Sequence, residues 1–153
     1  MLVGLISDTH RLLRPEALDA LSSSDMIIHA GDIGAPEVID QLREIAPVEA
    51  VRGNIDKAAW ADAYPLVLAF EHAGTSIYVL HNRADLDLDP AKAGYDVVVS
   101  GHSHKPNIET RDGVLYINPG SAGPRRFSLP ICVARLNLGD GQRQAEIIDL
   151  AIT

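Results

Sequence analysis

The first third of the chain alternates short apolar runs with stretches of helical periodicity, and this alternation constrains the fold more than any other feature. Apolar, β-branched runs occupy residues 2–7, 26–30 and 48–51. Between them, Pro15 and Pro36 each open a stretch that predicts a helix, because proline is favoured at the first helical position. A strand–helix–strand–helix–strand order predicts parallel strands joined by crossover helices. We therefore expect a parallel sheet in this part of the chain.

The later part of the chain is rich in predicted strands. Residues 66–71 and 75–81 flank Ala73-Gly74, a pattern that predicts a hairpin. The turn sequences Asp112-Gly113 and Gly139-Asp140-Gly141 each join two further apolar runs. The sequence as a whole predicts a mixed α/β domain of two packed sheets with helices on the outside.

Composition narrows the class of protein. The chain has 153 residues, which favours a single domain over residues 1–153. No apolar run approaches the roughly 18 residues that a membrane span needs, and the first residues lack the basic region of a signal peptide. Cys132 is the only cysteine, so no internal disulfide can form; we expect a cytoplasmic protein in which Cys132 is a buried thiol. The net charge of -8 disfavours a general nucleic-acid binder.

Almost every predicted strand ends in side chains that can bind a metal ion. In open α/β sheets, sites form outside the carboxyl ends of the strands, so we expect these side chains to converge. A glycine before Asp32, Asn54 and His102 should permit tight turns, and ligands two residues apart should face one side of an extended chain. The strand ends in question carry Asp8-Thr9-His10, Gly31-Asp32, Gly53-Asn54, His81 and Gly101-His102-Ser103-His104.

The ligand types indicate the chemistry. Two carboxylates, one amide oxygen and four imidazoles suffice for two ions that share a bridging carboxylate, whereas the absence of thiolates disfavours a structural zinc site. Paired ions roughly 3.5–4 Å apart are the usual apparatus for in-line attack at phosphorus. Two divalent ions, two aspartates and a bridging hydroxide carry a net charge of about +1, which would attract a phosphate diester despite the acidic chain.

Taken in order, these residues resemble the calcineurin-like metallophosphoesterase superfamily. Its pattern runs D-x-H, G-D-x-x, G-N-x-[DH], H and G-H-x-H, and the match covers residues 7 to 104. Five motifs in the correct order, each at a strand end, make a specific signal. The short length, the Gly53-Asn54-Ile55-Asp56 motif, and Asn118-Pro119-Gly120-Ser121 followed by Pro124-Arg125 are similar to the small phosphodiesterase branch.

The resemblance implies a two-sheet αββα sandwich and a dinuclear centre. It implies a first ion held by Asp8, His10, Asp32 and His104. It implies a second ion held by Asp32, Asn54, His81 and His102. Manganese suits these mixed ligands, and iron, zinc, nickel or cobalt could fill the same positions. The implied reaction is hydrolysis of a phosphodiester, with monoesters as a further class of substrate, by a metal-bound hydroxide, with Asp32, Asn54 and His10 as catalytic residues.

Two departures from the family pattern stand out. Many members continue the fourth motif as His-Gly-His, whereas this chain has His81-Asn82-Arg83. Larger members place a histidine after the motif asparagine, where it can protonate the leaving group, but here Ile55 and Asp56 follow Asn54. An aspartate near two cations should be ionised and hence a poor general acid. We therefore expect esters with activated leaving groups to be hydrolysed faster.

Other functions and partners stay open at this stage. A non-catalytic scaffold of the same fold would be expected to lose metal-binding imidazoles, which this chain retains, and a metal-dependent nuclease is disfavoured by the acidic balance. We expect a small phosphorylated substrate contacted by Asn54 and by Arg125, although a plain surface role for Arg125 is an equal alternative. His29 is expected to be a structural histidine behind the ligands. Small domains of this kind can also form homo-oligomers.

Overall fold

The computed structural model describes residues 1–153, which form ten β-strands and three short α-helices. The strands are β1 (Leu2–Ile6), β2 (Met26–His29), β3 (Val48–Ala50), β4 (Val67–His72), β5 (Thr75–Leu80), β6 (Val97–Val99), β7 (Asn107–Arg111), β8 (Val114–Asn118), β9 (Cys132–Gly139) and β10 (Gln142–Asp149). The helices are α1 (Pro15–Ala20), α2 (Pro36–Arg43) and α3 (Pro90–Ala93), and two 3-10 turns lie at Ala59–Ala63 and Arg83–Asp85.

The first sheet has the strand order β10-β9-β1-β2-β3. Strands β1, β2 and β3 are parallel, and α1 and α2 form the crossovers between them. Each of these helices begins at its predicted proline. The parallel sheet predicted from the alternating pattern is confirmed, and β9 and β10 extend it as an antiparallel hairpin on the other side of β1.

The second sheet has the order β4-β5-β6-β8-β7, in which β5, β6 and β8 are parallel. The three predicted turns are confirmed as hairpins that join β4 to β5, β7 to β8, and β9 to β10. Each turn contains a residue and a following glycine with positive φ, the conformation that matches the twist of the strands: Ala73 and Gly74, Asp112 and Gly113, and Asp140 and Gly141.

The two sheets pack face to face, so that the largest cluster of buried apolar side chains lies between them. This cluster joins residues such as Leu5 and Ile28 of the first sheet to Val79, Val99 and Ile117 of the second. Helices α1 and α2 bury their apolar faces on the outer side of the first sheet. The outer side of the second sheet is covered more thinly, because the connection between β5 and β6 contains only a 3-10 turn and the four-residue helix α3. The sandwich implied by the resemblance is confirmed, with an uneven pair of helical layers.

Two further expectations concern single features of the fold. Cys132 is fully buried at the start of β9, and burial raises the pKa of its thiol to about 11. None of the helices is long and apolar enough to cross a bilayer. The longest of them, α2, has eight residues.

Candidate metal centre

The parallel strands of both sheets end at one edge of the sandwich, and the seven candidate ligands lie in the loops that follow them. Asp8 and His10 follow β1, Asp32 follows β2, and Asn54 follows β3. The second sheet contributes His81 after β5, and His102 and His104 after β6. The site is therefore built across the junction of the two sheets, and neither sheet carries it alone.

The first group of ligand atoms surrounds one oxygen of Asp8. Asp8 Oδ1 lies 3.4 Å from His104 Nε2, 3.9 Å from His10 Nε2 and 3.8 Å from His81 Nε2. Ligand atoms held about 2.1 Å from a common ion lie roughly 3.0–3.4 Å from each other. The contact of Asp8 with His104 has this spacing, and the other two contacts, at 3.9 and 3.8 Å, are longer. Asp8, His10 and His104 form one cluster able to hold an ion, and Asp8, Asp32 and His81 form another.

A second group of ligand atoms adjoins the first through Asp32. Asp32 Oδ2 lies 3.3 Å from His10 Nε2 and also 3.3 Å from His81 Nε2. His81 Nε2 lies 3.3 Å from His102 Nδ1, which in turn lies 3.2 Å from Asn54 Oδ1. Asp32 Oδ2 thus occupies a position between the two groups, as a bridging carboxylate requires.

Unpaired polar atoms test whether this site suits a cation. Buried polar atoms are nearly always hydrogen-bonded, because an unsatisfied one costs about 1–3 kcal/mol. Asp8 Oδ1, His10 Nε2 and both ring nitrogens of His104 are buried without any hydrogen-bond partner. Of these atoms, His104 Nε2 and His10 Nε2 lie 3.4 and 3.9 Å from Asp8 Oδ1. The oxygen and nitrogen character of these three atoms fits a divalent ion of the first transition series.

The electrostatics of the site favour ionised carboxylates. Burial opposes ionisation of Asp8, but contacts with His10 and His104 outweigh it and hold the pKa of this carboxyl well below its usual range. Burial likewise opposes ionisation of Asp32, whose pKa is lowered by His10 and His81. The pair of aspartates therefore presents two negative charges to a cation at neutral pH.

The backbone at the ligands differs from the extended conformation expected from the sequence. Asp8, His10, Asp32, His102 and His104 all have φ between 47° and 71°, in the left-handed region. Residues other than glycine visit this region at a cost of roughly 1–2 kcal/mol each. The two ligands of each D-x-H or H-x-H pair are therefore brought to one point by tight left-handed turns. Such strain concentrates at functional sites, where surrounding contacts hold it in place.

The glycines beside the ligands are required for space more than for turning. Of the three glycines that precede Asp32, Asn54 and His102, only Gly31 has a positive φ, of 100°. A Cβ atom on Gly53 would lie 2.1 Å from Asp32 Oδ1, and a Cβ atom on Gly101 would lie 2.0 Å from Ser7 Oγ and 2.7 Å from Asp8 Oδ2. These approaches are closer than any side chain allows. Tight turns also begin at Gly53 and Gly101, whose carbonyls accept the N–H groups of Asp56 at 3.2 Å and of Ser103 at 2.8 Å. At these two glycines, however, the absence of a side chain serves the close approach of the loops.

Several residues that the sequence did not single out orient the candidate ligands. Ser7 Oγ donates to Asp8 Oδ2 at 2.8 Å, and the backbone N–H of His102 donates to the same oxygen at 3.0 Å. Oδ1 of Asp8 is left free to face the histidines. His81 Nδ1 donates to the carbonyl of Ala30 at 2.7 Å, which leaves Nε2 available as a ligand atom.

The Asn118-Pro119-Gly120-Ser121 segment supports the loops that carry the ligands. Asn118 Nδ2 donates to the carbonyl of Gly101 and to Ser103 Oγ, both at 3.0 Å. Ser121 Oγ donates to the backbone carbonyl of Asp8 at 3.1 Å. The motif was visible in the sequence at the end of a strand, but its partners lie far away in the chain and could not be read from it.

Asp56 does not face the ligand cluster, contrary to the expectation of an aspartate beside the ions. Its buried carboxylate accepts backbone N–H groups of Ile33, Gly34 and Gly53 at 2.8–3.0 Å. With its lone pairs committed to three donors, Asp56 clamps the loop after β2 against the loop after β3. Ile55 beside it is 42% exposed and offers no proton.

His29 lies fully buried behind the ligands, where a structural histidine was predicted. Its Nδ1 accepts from the N–H of Gly31 at 3.1 Å, so Nε2 carries the proton and donates to Thr9 Oγ1 at 3.0 Å. Thr9 Oγ1 in turn donates to the carbonyl of Ile33 at 2.8 Å. Burial lowers the pKa of His29 to about 4, so the ring is neutral and links the loops that carry Asp8 and Asp32.

Arg125 lies at the mouth of the site, and its guanidinium forms hydrogen bonds with the backbone. It lines a cavity of about 260 Å³ together with His10, His104, Pro124 and Arg126. Its guanidinium donates to the carbonyl oxygens of Leu129 and Ile152 at 3.1 and 2.5 Å. The two arginines bring positive charge to the side of the site that His10 and His104 form.

A second cavity opens on the opposite side of the site. It has a volume of about 270 Å³ and is bordered by the candidate ligands Asn54, His81 and His102. Leu66 and Val67, at the start of β4, form an apolar part of its wall and are 61% and 41% exposed. This cavity offers an apolar surface directly beside the ligand cluster.

Comparisons with known proteins agree with this architecture. The sequence profile of the calcineurin-like phosphoesterase superfamily domain matches residues 1–141. A probable metallophosphoesterase of Methanothermobacter thermautotrophicus is 36% identical, over 97% of this chain and 92% of its own length. The structure of an archaeal phosphodiesterase superimposes with a TM-score of 0.79 at 25% identity, covering 97% of this chain and 100% of that one. Vps29 of Entamoeba histolytica, solved with zinc, shares the fold with a TM-score of 0.75 at 23% identity, covering 98% and 99% of the two chains.

Proposed function

The chain belongs to the calcineurin-like phosphoesterase superfamily, and on that basis we propose that it is a dinuclear metal-dependent phosphodiesterase. The observation that carries the proposal is the set of buried ligand atoms without hydrogen-bond partners around Asp8 Oδ1, joined by Asp32 to a second set. Asp8, His10, Asp32 and His104 would hold the first ion. Asp32, Asn54, His81 and His102 would hold the second.

Within this proposal each residue has a defined task. When bound, two divalent ions would supply a hydroxide nucleophile near neutral pH and offset negative charge on the phosphoryl oxygens. Asp8 and Asp32 stay ionised. His10 completes the ligands of the first ion and lies 3.3 Å from Asp32, and the Ala30 carbonyl fixes the orientation of the His81 ring. The exposed side chain of Asn54 can contact both the second ion and a phosphoryl oxygen. Arg125 would bind the phosphate from the side of His10 and His104.

The substrate we propose is a small phosphodiester, with monoesters as a secondary class. The apolar wall beside Asn54 and His81 suits an uncharged ester group. The acidic chain lacks a basic stripe along which a polymeric nucleic acid would lie, which disfavours a nuclease. Manganese is the ion we would supply first, because carboxylate, amide and imidazole ligands all suit it. We also propose a cytoplasmic location, since a chain whose single cysteine forms no internal disulfide fits a reducing compartment.

Hydrolysis of bis(p-nitrophenyl) phosphate tests the proposal. Metal-stripped protein should be inactive, and manganese should restore turnover. Asp32→Ala and His104→Ala should abolish turnover, with losses of roughly 100-fold or more, since each removes a ligand. Asp40→Ala and His72→Ala are the matched controls: Asp40 is exposed on α2 and His72 ends β4, away from the site, so both variants should keep the wild-type rate.

A non-catalytic scaffold of the same fold is the competing proposal. It predicts that the protein binds manganese, with loss of binding in Asp32→Ala, but shows no turnover of diesters or monoesters with any divalent ion. The retention of all seven candidate ligands in one cluster favours the enzyme. Absence of turnover with manganese, iron, zinc, nickel and cobalt would instead favour the scaffold.

A further inference from the structure

A third cavity adjoins the candidate metal centre and has no part in holding the ions. It has a volume of about 410 Å³ and lies where β5, β6 and β8 end. The residues that line it include Ser103, Lys105, Tyr116 and Asn118. It includes Asn82 and Arg83, which stand where many members of the family have Gly-His.

The charge of this cavity differs from that of the whole chain. The chain has 21 acidic and 13 basic residues, yet the eleven lining residues include Arg83 and Lys105 and no carboxylate. The Arg83 guanidinium is stacked over the ring of Tyr116, 4.0 Å from its centroid, and pairs with Glu109 outside the cavity. Lys105 is exposed and makes no ion pair. The cavity therefore carries an uncompensated positive charge, with an aromatic wall behind it.

One neutral group of the cavity, the Ser103 hydroxyl, has a donor that the protein does not use. Ser103 Oγ accepts two hydrogen bonds, from the N–H of Lys105 at 3.2 Å and from Asn118 Nδ2 at 3.0 Å. Its own proton has no acceptor in the protein and is free to donate to a ligand. A charged ammonium beside a free hydroxyl donor suits an oxyanion such as a phosphate or a carboxylate.

The cavity lies close to the reacting centre. Asn82 lines both this cavity and the one bordered by Asn54, His81 and His102. Gly101 and Ser103 line it on either side of His102, and successive residues are only about 3.8 Å apart along the chain. A substrate whose phosphodiester lies at the ions could therefore extend a neighbouring group past His102 into this cavity.

We propose that the cavity bounded by Arg83 and Lys105 binds a second anionic group carried by the substrate, so that the preferred diesters bear a phosphate or carboxylate near the scissile phosphorus. This inference rests on the proposed function, because it concerns the substrate of the same site. Lys105 contributes the unpaired charge, Ser103 a hydrogen bond, and the stacked pair of Arg83 and Tyr116 a rigid wall.

Two chromogenic substrates that differ by one phosphate test the inference. These are the p-nitrophenyl ester of thymidine 5′-phosphate and the same ester with an added 3′-phosphate, each assayed with the manganese-loaded protein. The 3′-phosphate should raise kcat/KM roughly fivefold, as expected for one partly exposed charge contact, and the gain should fall on KM. In Lys105→Gln the ratio between the two substrates should drop to near one. Lys92→Gln, the same change at an exposed position on α3, should keep the wild-type ratio.

The outcomes separate this inference from the proposed function. Manganese-dependent turnover of both esters at equal rates would overturn the inference and leave the enzyme standing. If neither ester turns over, binding of thymidine 3′,5′-bisphosphate measured by calorimetry still decides the point, since Lys105→Gln should weaken it and Lys92→Gln should not. Added inorganic sulfate should reduce the gain from the 3′-phosphate by competing for Lys105. A response to sulfate that depends on Lys105, without any gain from the 3′-phosphate, would show a site for a separate anion and would overturn the inference.

Discussion

His10 lies between two carboxylates, and they control its charge when no ion is bound. Contact with Asp32, and then with Asp8, raises the pKa of His10 to about 9. Below that pH the ring is protonated in the metal-free protein, so a divalent ion must displace a proton in order to bind. Manganese should therefore bind more tightly as the pH rises from 6 to 9, with release of a proton at pH 7 and little release above pH 9.

Calorimetry in two buffers of different ionisation enthalpy measures this proton release. An NMR titration of the metal-free protein gives the pKa of His10 directly, and Asp32→Asn should move it back toward 6.5 because the main stabilising contact is weakened. Equal binding enthalpies in the two buffers at pH 7 would contradict the expected proton release.

No side chain that follows Asn54 in the motif is available to protonate the leaving group. Asp56 is committed to three backbone N–H groups, and Ile55 has no proton to give. Without a general acid after Asn54, the rate should depend on how well the leaving group carries negative charge. Across a series of aryl and alkyl diesters, kcat/KM should rise steeply as the pKa of the leaving alcohol falls. A flat dependence, with chemistry shown to limit the rate, would reveal a proton donor elsewhere in the site.

At the scale of elements, the loops after β1 and β6 fit together only because Gly101 has no side chain. A methyl group there would overlap Ser7 Oγ and Asp8 Oδ2, so Gly101→Ala should displace Asp8 or the His102 loop and weaken manganese binding by roughly tenfold or more. Gly139→Ala is the control, because a methyl group at that position at the end of β9 meets nothing within 4 Å. Manganese titrations of both variants, followed by calorimetry, make the comparison. Equal affinities would show that the loops can move apart without loss.

The elements also show which parts of the structure a sequence can predict. Runs of β-branched residues and helix-opening prolines depend on local chemistry, so β1, α1, β2, α2 and the hairpins were predictable. The left-handed backbone at Asp8 and His102 was not, because it is held by groups distant in the chain: Ser121 bonds the carbonyl of Asp8, and Asp8 bonds the N–H of His102. The identity of the candidate ligands followed from their order along the chain. The atoms that orient them, in Asn118 and Ala30, required the tertiary structure.

For the molecule as a whole, bound ions should stabilise the folded state by linking loops of the two sheets. The proposed ligands come from loops of both sheets, and the unfolded chain cannot hold them together. A ligand whose free concentration is about 100 times its dissociation constant adds about 2.7 kcal/mol to the free energy of unfolding. For a domain of this size, that gain corresponds to a rise of roughly 5–10 °C in Tm. Manganese should produce such a rise in the metal-stripped protein.

Thermal unfolding followed by circular dichroism measures this rise in Tm, which a chelator should reverse. Asp32→Ala should lose the rise, since Asp32 joins both sets of ligand atoms, and Asp40→Ala should retain it. An unchanged Tm in the wild-type protein at saturating manganese would mean that the ions do not bridge the sheets.

The position of β1 has a consequence for the order of events during biosynthesis. All seven proposed ligands precede residue 105, but β1, which leads into Asp8 and His10, lies between β2 and β9. A nascent chain that ends before Cys132 would already contain every ligand, while one edge of β1 would still lack its partner strand. We therefore expect the ions to be captured only after the hairpin of β9 and β10 has emerged from the ribosome and paired with β1.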